Sequence, residues 1–148
     1  MENGTITYTQ LLREDLGIFR VTPDNGIVPD FKAGQFLTLG LPLESKIVNR
    51  AYSIASSPEN KKFFEFVIRW VRSPLPGRLT SLLFNSKEGD KISWAKPAGT
   101  LTINDTLPNG EKDNRRIICI GGGTGLAPFV SFAQHFHDTN DKREIIVL

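Results

Sequence analysis

Arg116-Ile117-Ile118-Cys119-Ile120-Gly121-Gly122-Gly123-Thr124-Gly125-Leu126-Ala127-Pro128 is an apolar, mostly β-branched run that breaks into glycine and then into a helical pattern. A continuous apolar run of this kind marks a parallel strand buried on both faces. The glycines permit positive φ and let the backbone approach a phosphate or a ring closely. Phe129, Val130, Phe132, Ala133 and Phe136 then recur on one side of a helix. The free N–H groups at its start suit an anion, and Pro128 sits near the first turn, where its missing N–H costs little. Glu144-Ile145-Ile146-Val147-Leu148 reads as a second buried strand. Residues 115–148 are therefore the beginning of a doubly wound α/β domain. Two parallel strands cannot cover their own apolar faces, so the pattern predicts partner strands beyond Leu148. The loop is not G-x-G-x-x-G, because Leu126 takes the third glycine's place, and no Gly-Lys-Ser/Thr of a P-loop follows.

Upstream the texture is different. Asp105 to Asn114 is polar and turn-rich and reads as a linker. Residues 1–104 hold short strand-like runs separated by turn residues: Thr5–Thr9, Gly17–Val21, Gln35–Leu39, Ala51–Ala55, Lys62–Val71 and Lys91–Trp94. In the strongest of these, Phe64, Phe66, Ile68 and Trp70 share one face. Leu79, Leu82 and Leu83, after Pro76-Gly77, repeat at the spacing of one short helix. Short strands so spaced predict a closed barrel or a sandwich.

The 148 residues amount to one ordinary domain or two small ones. Eighteen Lys and Arg against sixteen Asp and Glu leave a net charge of +2, too little to argue for a dedicated nucleic-acid binder. The single cysteine, Cys119, closes no intrachain disulfide and supplies no four-thiolate metal or iron–sulfur site. The N-terminus lacks a basic start followed by an apolar run. No apolar stretch approaches the ~20 residues that span a bilayer. A cytoplasmic protein without membrane or metal partners is the expectation.

Three motifs occur in order: Arg50-Ala51-Tyr52-Ser53-Ile54-Ala55-Ser56, Pro76-Gly77-Arg78-Leu79-Thr80, and Gly121 to Pro128. Together they resemble the ferredoxin–NADP+ reductase superfamily, in particular its bacterial ferredoxin/flavodoxin–NADP+ reductases. Pro97-Ala98-Gly99-Thr100-Leu101 resembles that family's segment between the flavin and nucleotide domains. The resemblance runs from about Thr5 to Leu148, roughly the N-terminal three-fifths of such an enzyme. It implies a six-stranded antiparallel Greek-key β-barrel over 1–104 that binds FAD, a linker over 105–114, and an NAD(P)-binding domain beginning at 115.

The resemblance also implies roles. Arg50 would pair with the FAD pyrophosphate, as a guanidinium fork suits phosphate oxygens. Tyr52 would pack on the isoalloxazine, and Ser53 would hydrogen-bond near flavin N5. Tyr52 and Ser53 are thus the catalytic candidates. A regular strand sends Arg50 and Tyr52 to one face and Ser53 to the other, so one cofactor meets all three only at the strand's end or edge, or through backbone groups. Gly77 and Thr80 would complete the pyrophosphate cradle, and Ile68, Arg69 and Val71 would pass the flavin and adenosine. Gly123, Thr124 and Gly125 would line the nicotinamide path. The implied reaction is hydride exchange between NADPH and FAD, then single-electron transfer to ferredoxin or flavodoxin, with the cofactor carrying the redox chemistry. This stretch alone would accept hydride poorly.

Other features have plainer readings. His135 and His137, two apart on a helix, make a poor metal pair. Cys119 reads as a packed small hydrophobe, and Trp70 and Trp94 as core or rim. Arg78 either adds charge to the implied pyrophosphate cradle or is an exposed helical arginine, and Arg115-Arg116 and Lys142-Arg143 read as solvated. Lys61, Lys62 and Arg72 are candidates for docking an acidic ferredoxin. Two alternatives stand beside the reductase: a flavin-binding electron-relay subunit or NADH-using oxygenase reductase component, and an oligonucleotide-binding barrel.

Overall fold

The computed structural model describes residues 1–72, 74 and 76–148. Six antiparallel strands come first: β1 (Glu2–Arg13), β2 (Leu16–Pro23), β3 (Phe36–Leu43), β4 (Lys46–Ser53), β5 (Phe64–Arg69) and β6 (Lys91–Trp94), with helix α1 (Arg78–Phe84) between the last two. Their spatial order is β4-β3-β6-β1-β2-β5. The sheet curls towards a barrel without closing. Its edge strands approach at one end, where Ala55 N–H donates to Glu65 O at 2.8 Å.

Period-two alternation drives this curl. Along β2, Gly17, Phe19, Val21 and Pro23 are buried while their neighbours are half-buried. Along β5, Phe64, Phe66 and Ile68 point inward. They meet Ile6, Leu37, Leu39, Ile92 and Trp94 in one core, which α1 caps with Leu79 and Leu83. Each such side chain contributes about 1.5–3 kcal/mol by leaving water. Trp94 is part of this core, its ring tilted at 55° against Phe64 with centroids 5.4 Å apart. Trp70 lies at the rim, where its indole N–H donates to Ser81 Oγ and Arg72 covers its ring.

The second region is smaller. It comprises β7 (Ile117–Cys119), a 3-10 turn (Gly123–Leu126), α2 (Ala127–Asp138) and β8 (Ile145–Val147), with β7 and β8 parallel. Its core is Cys119 and Phe132 together with Ala33 from the first region.

Several strand limits differ from the sequence reading. Residues 46–50, not read as strand, form most of β4, and Ile54 and Ala55 lie beyond its end. β1 runs on to Arg13 through two register shifts. β5 stops before Trp70, whose N–H turns to Asp15 O. The apolar strands of the α/β unit are not buried on both faces: Ile118, Ile120, Val147 and Leu148 are exposed. α2, Ala33 and Ile103 pack on the face of this small sheet that carries Cys119, and among the described residues the face with Ile118, Ile120 and Leu148 remains open. Nor is Arg143 solvated. Its guanidinium is buried between Asp141 and Asp105, donates to Asn104 O, and lies over the Phe136 ring. Two carboxylates and a carbonyl offset its desolvation. Residues 105–114 are folded back on themselves through a Thr106–Lys112 bridge, and Asp113 is buried against Arg115.

Candidate functional site

β4 is an edge strand paired only with β3. Leu39 stands opposite Arg50 and Leu37 opposite Tyr52, so both β4 side chains share the core-facing side of the sheet. Tyr52 is half-buried against that core, and burial pushes its hydroxyl pKa up, partly opposed by Arg50. Towards the start of β4 the core gives way to a groove of about 580 Å3, which the β3–β4 hairpin, Val48, Arg50 and Arg78 line. Arg50 donates to Asn49 O, and among the described residues neither it nor Arg78 has a carboxylate partner. The structure brings Arg78 to the same opening as Arg50, the first of the two placements the sequence left open for it. Ser53 occupies the last position of β4, on the opposite face from Tyr52, where a ligand passing the strand's end can meet both.

The opposite edge of the sheet is β5. Glu65 bonds outward, accepting from Ala55 N–H and donating to Ser56 Oγ. By strand alternation the backbone groups of Val67 and Arg69 face the same open edge. The Ile68 side chain is buried, and the Arg69 guanidinium turns to Asp15 at 3.5 Å. Neither side chain faces the groove, so these residues offer main-chain groups only. Val71 is exposed, and its carbonyl accepts from Gly77 N–H. The Thr80 hydroxyl is occupied as well: it is buried and donates to Gly77 O at 3.0 Å. Gly77 lacks a Cβ because that atom would meet Thr80 Oγ1 at 2.5 Å. Gly77 and Thr80 therefore shape the start of α1 rather than present a free donor.

The glycine turn lies beside β5. At Gly121 an added Cβ would approach the Phe129 ring to 2.9 Å and Gly125 O to 3.1 Å, so a side chain there would displace its neighbours. At Gly122, Gly123 and Gly125 an added Cβ would meet nothing within 4 Å, and Gly123 has a φ of +57°. The space above these three is open, and Thr124 is half-buried among them. Behind the turn, α2 seats on the segment after β4: Ser131 Oγ donates to Ser56 O at 2.7 Å and Ser57 N–H donates to Gln134 Oε1 at 3.0 Å. His135 Nδ1 lies 2.9 Å from Glu59. Burial pushes the Glu59 carboxyl up, but the bonds from Ser57 and His135 outweigh it and hold its pKa below the ordinary value. The sequence contains no signal for these seating contacts, because they are made by ordinary serines and a glutamine.

Of the candidate docking cations, Lys61 pairs with Asp30 and Arg72 with Glu14. A smaller cavity of about 200 Å3, lined by Phe31, Pro58, Glu59 and His135, lies at the joint between the regions, apart from the Arg50 groove.

The sequence profile of the oxidoreductase FAD-binding domain matches residues 3–103. The chain belongs to that family. A ferredoxin–NADP reductase of Pseudomonas aeruginosa is 37% identical over 131 residues, covering 88% of this chain and 46% of that protein. A glycine betaine monooxygenase reductase subunit of the same species is 32% identical, covering 89% of this chain and 34% of that protein. The chain spans less than half the length of these relatives. A crystal structure of a ferredoxin NADP+ reductase from Neisseria gonorrhoeae with bound FAD and NADP superposes with a TM-score of 0.74 at 23% identity, over 98% of this chain and 55% of that one. The FAD-binding-domain fold is thus common to this chain and a broad set of reductases. The site of this family member fits the pyrophosphate of FAD on its own geometry, because two guanidinium groups without carboxylate partners among the described residues meet at one groove.

Proposed function

We propose that this chain binds FAD along the Arg50–Ser53 edge of the barrel and presents it to a pyridine nucleotide at Gly123–Gly125. The observation that carries this reading is the pairing of Arg50 and Arg78 at one groove without carboxylate partners. Guanidinium groups so placed bind a pyrophosphate through charge-assisted bonds. Tyr52, anchored in the core, offers a ring face that holds a planar ligand and excludes water from it. Ser53 supplies a hydroxyl at the strand end, and Val67 and Arg69 supply main-chain groups on the facing edge. Gly123 and Gly125 keep the approach to Thr124 open for a dinucleotide. FAD, when bound, accepts electrons in pairs and releases them singly.

In this reading residues 1–104 are the flavin domain, 105–114 the connection, and 115–148 the start of the nucleotide domain. The proposed activity is an NADPH-dependent, cytoplasmic flavoenzyme that passes electrons to ferredoxin or flavodoxin. The likeness to monooxygenase reductase subunits supports a second reading, an oxygenase reductase component that uses NADH. The test is the visible spectrum of the purified protein, with the released chromophore compared with FAD and FMN. Flavin bands with FAD released are expected. A colourless protein that takes up no added FAD would overturn the reading.

A further inference from the structure

The segment after β4 is buried yet irregular. Ser56 and Ser57 are each 2% exposed, and Pro58 is buried beside them. A buried loop must pair its backbone groups within the protein, because water cannot reach them. Here the partners come from two directions. On the barrel side, Ala55 N–H donates to Glu65 O, and Ser56 Oγ accepts from Glu65 N–H. On the other side, Ser131 Oγ donates to Ser56 O, and Gln134 Oε1 accepts from Ser57 N–H. Ser131 and Gln134 are three apart on α2 and so share one helix face. The same α2 begins at Ala127, directly after the glycine turn. One short chain of hydrogen bonds therefore joins the Ser53 end of β4 to the helix that carries Gly123–Gly125.

We propose that Ser131 and Gln134 are positioning residues: they fix the glycine turn against the Ser53 end of β4, so that ordering of one end reaches the other. This rests on the reading that FAD lies along Arg50–Ser53. Neither residue lines the Arg50 groove, so each acts through Ser56 and Ser57. Two packed elements joined by fixed bonds couple two sites in the required sense, because a ligand that stiffens one end lowers the opening of the other.

The test is amide hydrogen exchange of the 148-residue chain with and without FAD, for the wild type, Ser131→Ala, Gln134→Leu and Gln134→Glu. Gln134 is half-buried and Ser131→Ala removes only a hydroxyl, so these changes spare the core. In the wild type FAD should slow exchange at 50–53 and also, roughly fivefold, at 121–126, the scale of one hydrogen bond in a local opening equilibrium. Ser131→Ala and Gln134→Leu should keep the first effect and lose the second. Gln134→Glu, which retains an acceptor for Ser57 N–H, should keep both. A purely structural role would lower melting temperature in the variants yet leave the FAD effect at 121–126 in place, and that result would overturn the proposal. So would a wild type that binds FAD without any response at 121–126. A wild type that binds no FAD would instead bring down the functional reading itself.

Discussion

The barrel and the α/β unit behind it solve the problem of burial differently. The barrel encloses its own core, with Phe19, Phe64, Phe66 and Trp94 each almost wholly removed from water. The α/β unit buries little by itself. Its small core borrows Ala33 from the barrel, and one face of its sheet leaves Ile118, Ile120 and Leu148 exposed. The barrel is held by apolar area, whereas the second unit depends on how it is seated. The seat consists of a tight glycine, a few side-chain hydrogen bonds and ion pairs. Mutations should therefore act globally in the barrel and locally in the unit behind it.

The largest effect is expected in the barrel. Trp94→Ala removes a fully buried indole and should cost about 3–5 kcal/mol across the whole chain, read as a lowered midpoint in denaturant by every probe at once. A loss confined to α2 would break the comparison. At the seat, Gly34 has a φ of +90°, and a Cβ there would lie 2.1 Å from Leu101 O. Gly34→Ala should cost roughly 2–3 kcal/mol through strain and displacement, with near-normal strand content left in the barrel. Phe132→Ala should act on a similar scale, about 3 kcal/mol, the low end for a buried phenylalanine because this core is small, but hydrogen exchange should rise mainly in α2, β7 and β8. Equal loosening of β2 and β5 would show that the two units open together.

The smallest effect is electrostatic. Bonds from Arg115 hold the Asp113 carboxyl down to about 2, and those from Arg143 hold Asp141 below its ordinary value. A carboxylate whose folded-state pKa is depressed adds stability above its unfolded value, and this is lost as pH falls through the lowered one. The connection at 105–115 should thus loosen between about pH 4 and pH 2, and the α2–β8 turn should loosen as pH falls below the ordinary carboxylate range and Asp141 takes up its proton. The Glu59–His135 contact at the seat should weaken earlier in the same descent, because more of the Glu59 shift is offset by burial. Exchange measured against pH should show these segments opening before β2 and β5.

The sequence made the barrel legible where alternation was strong. Phe64, Phe66 and Ile68 announced an inward face, and the turn at Gly121–Gly125 announced the strand-to-helix junction. It hid the first five residues of β4, because Lys46, Ile47, Asn49 and Arg50 lie on an exposed edge strand and carry no period-two signal. It placed Arg50 and Tyr52 correctly on one face, but it could not show that the Thr80 hydroxyl is spent on Gly77 O or that Arg69 turns to Asp15. Those outcomes depend on neighbours distant in sequence or on local folding of a helix start. The role of Ser56, Ser57, Ser131 and Gln134 was equally hidden, because a polar residue gains meaning only from the buried backbone it meets.

The most direct test of the central claim is the FAD dissociation constant of the wild type and of Arg50→Ala, measured by fluorescence titration at one ionic strength. Arg50 is exposed and outside the core, so its loss spares the fold. Charge-assisted bonds of about 1.5–3 kcal/mol predict weakening of roughly ten- to a hundredfold. An unchanged constant in a folded variant would contradict the assignment of Arg50 and its groove to the FAD pyrophosphate.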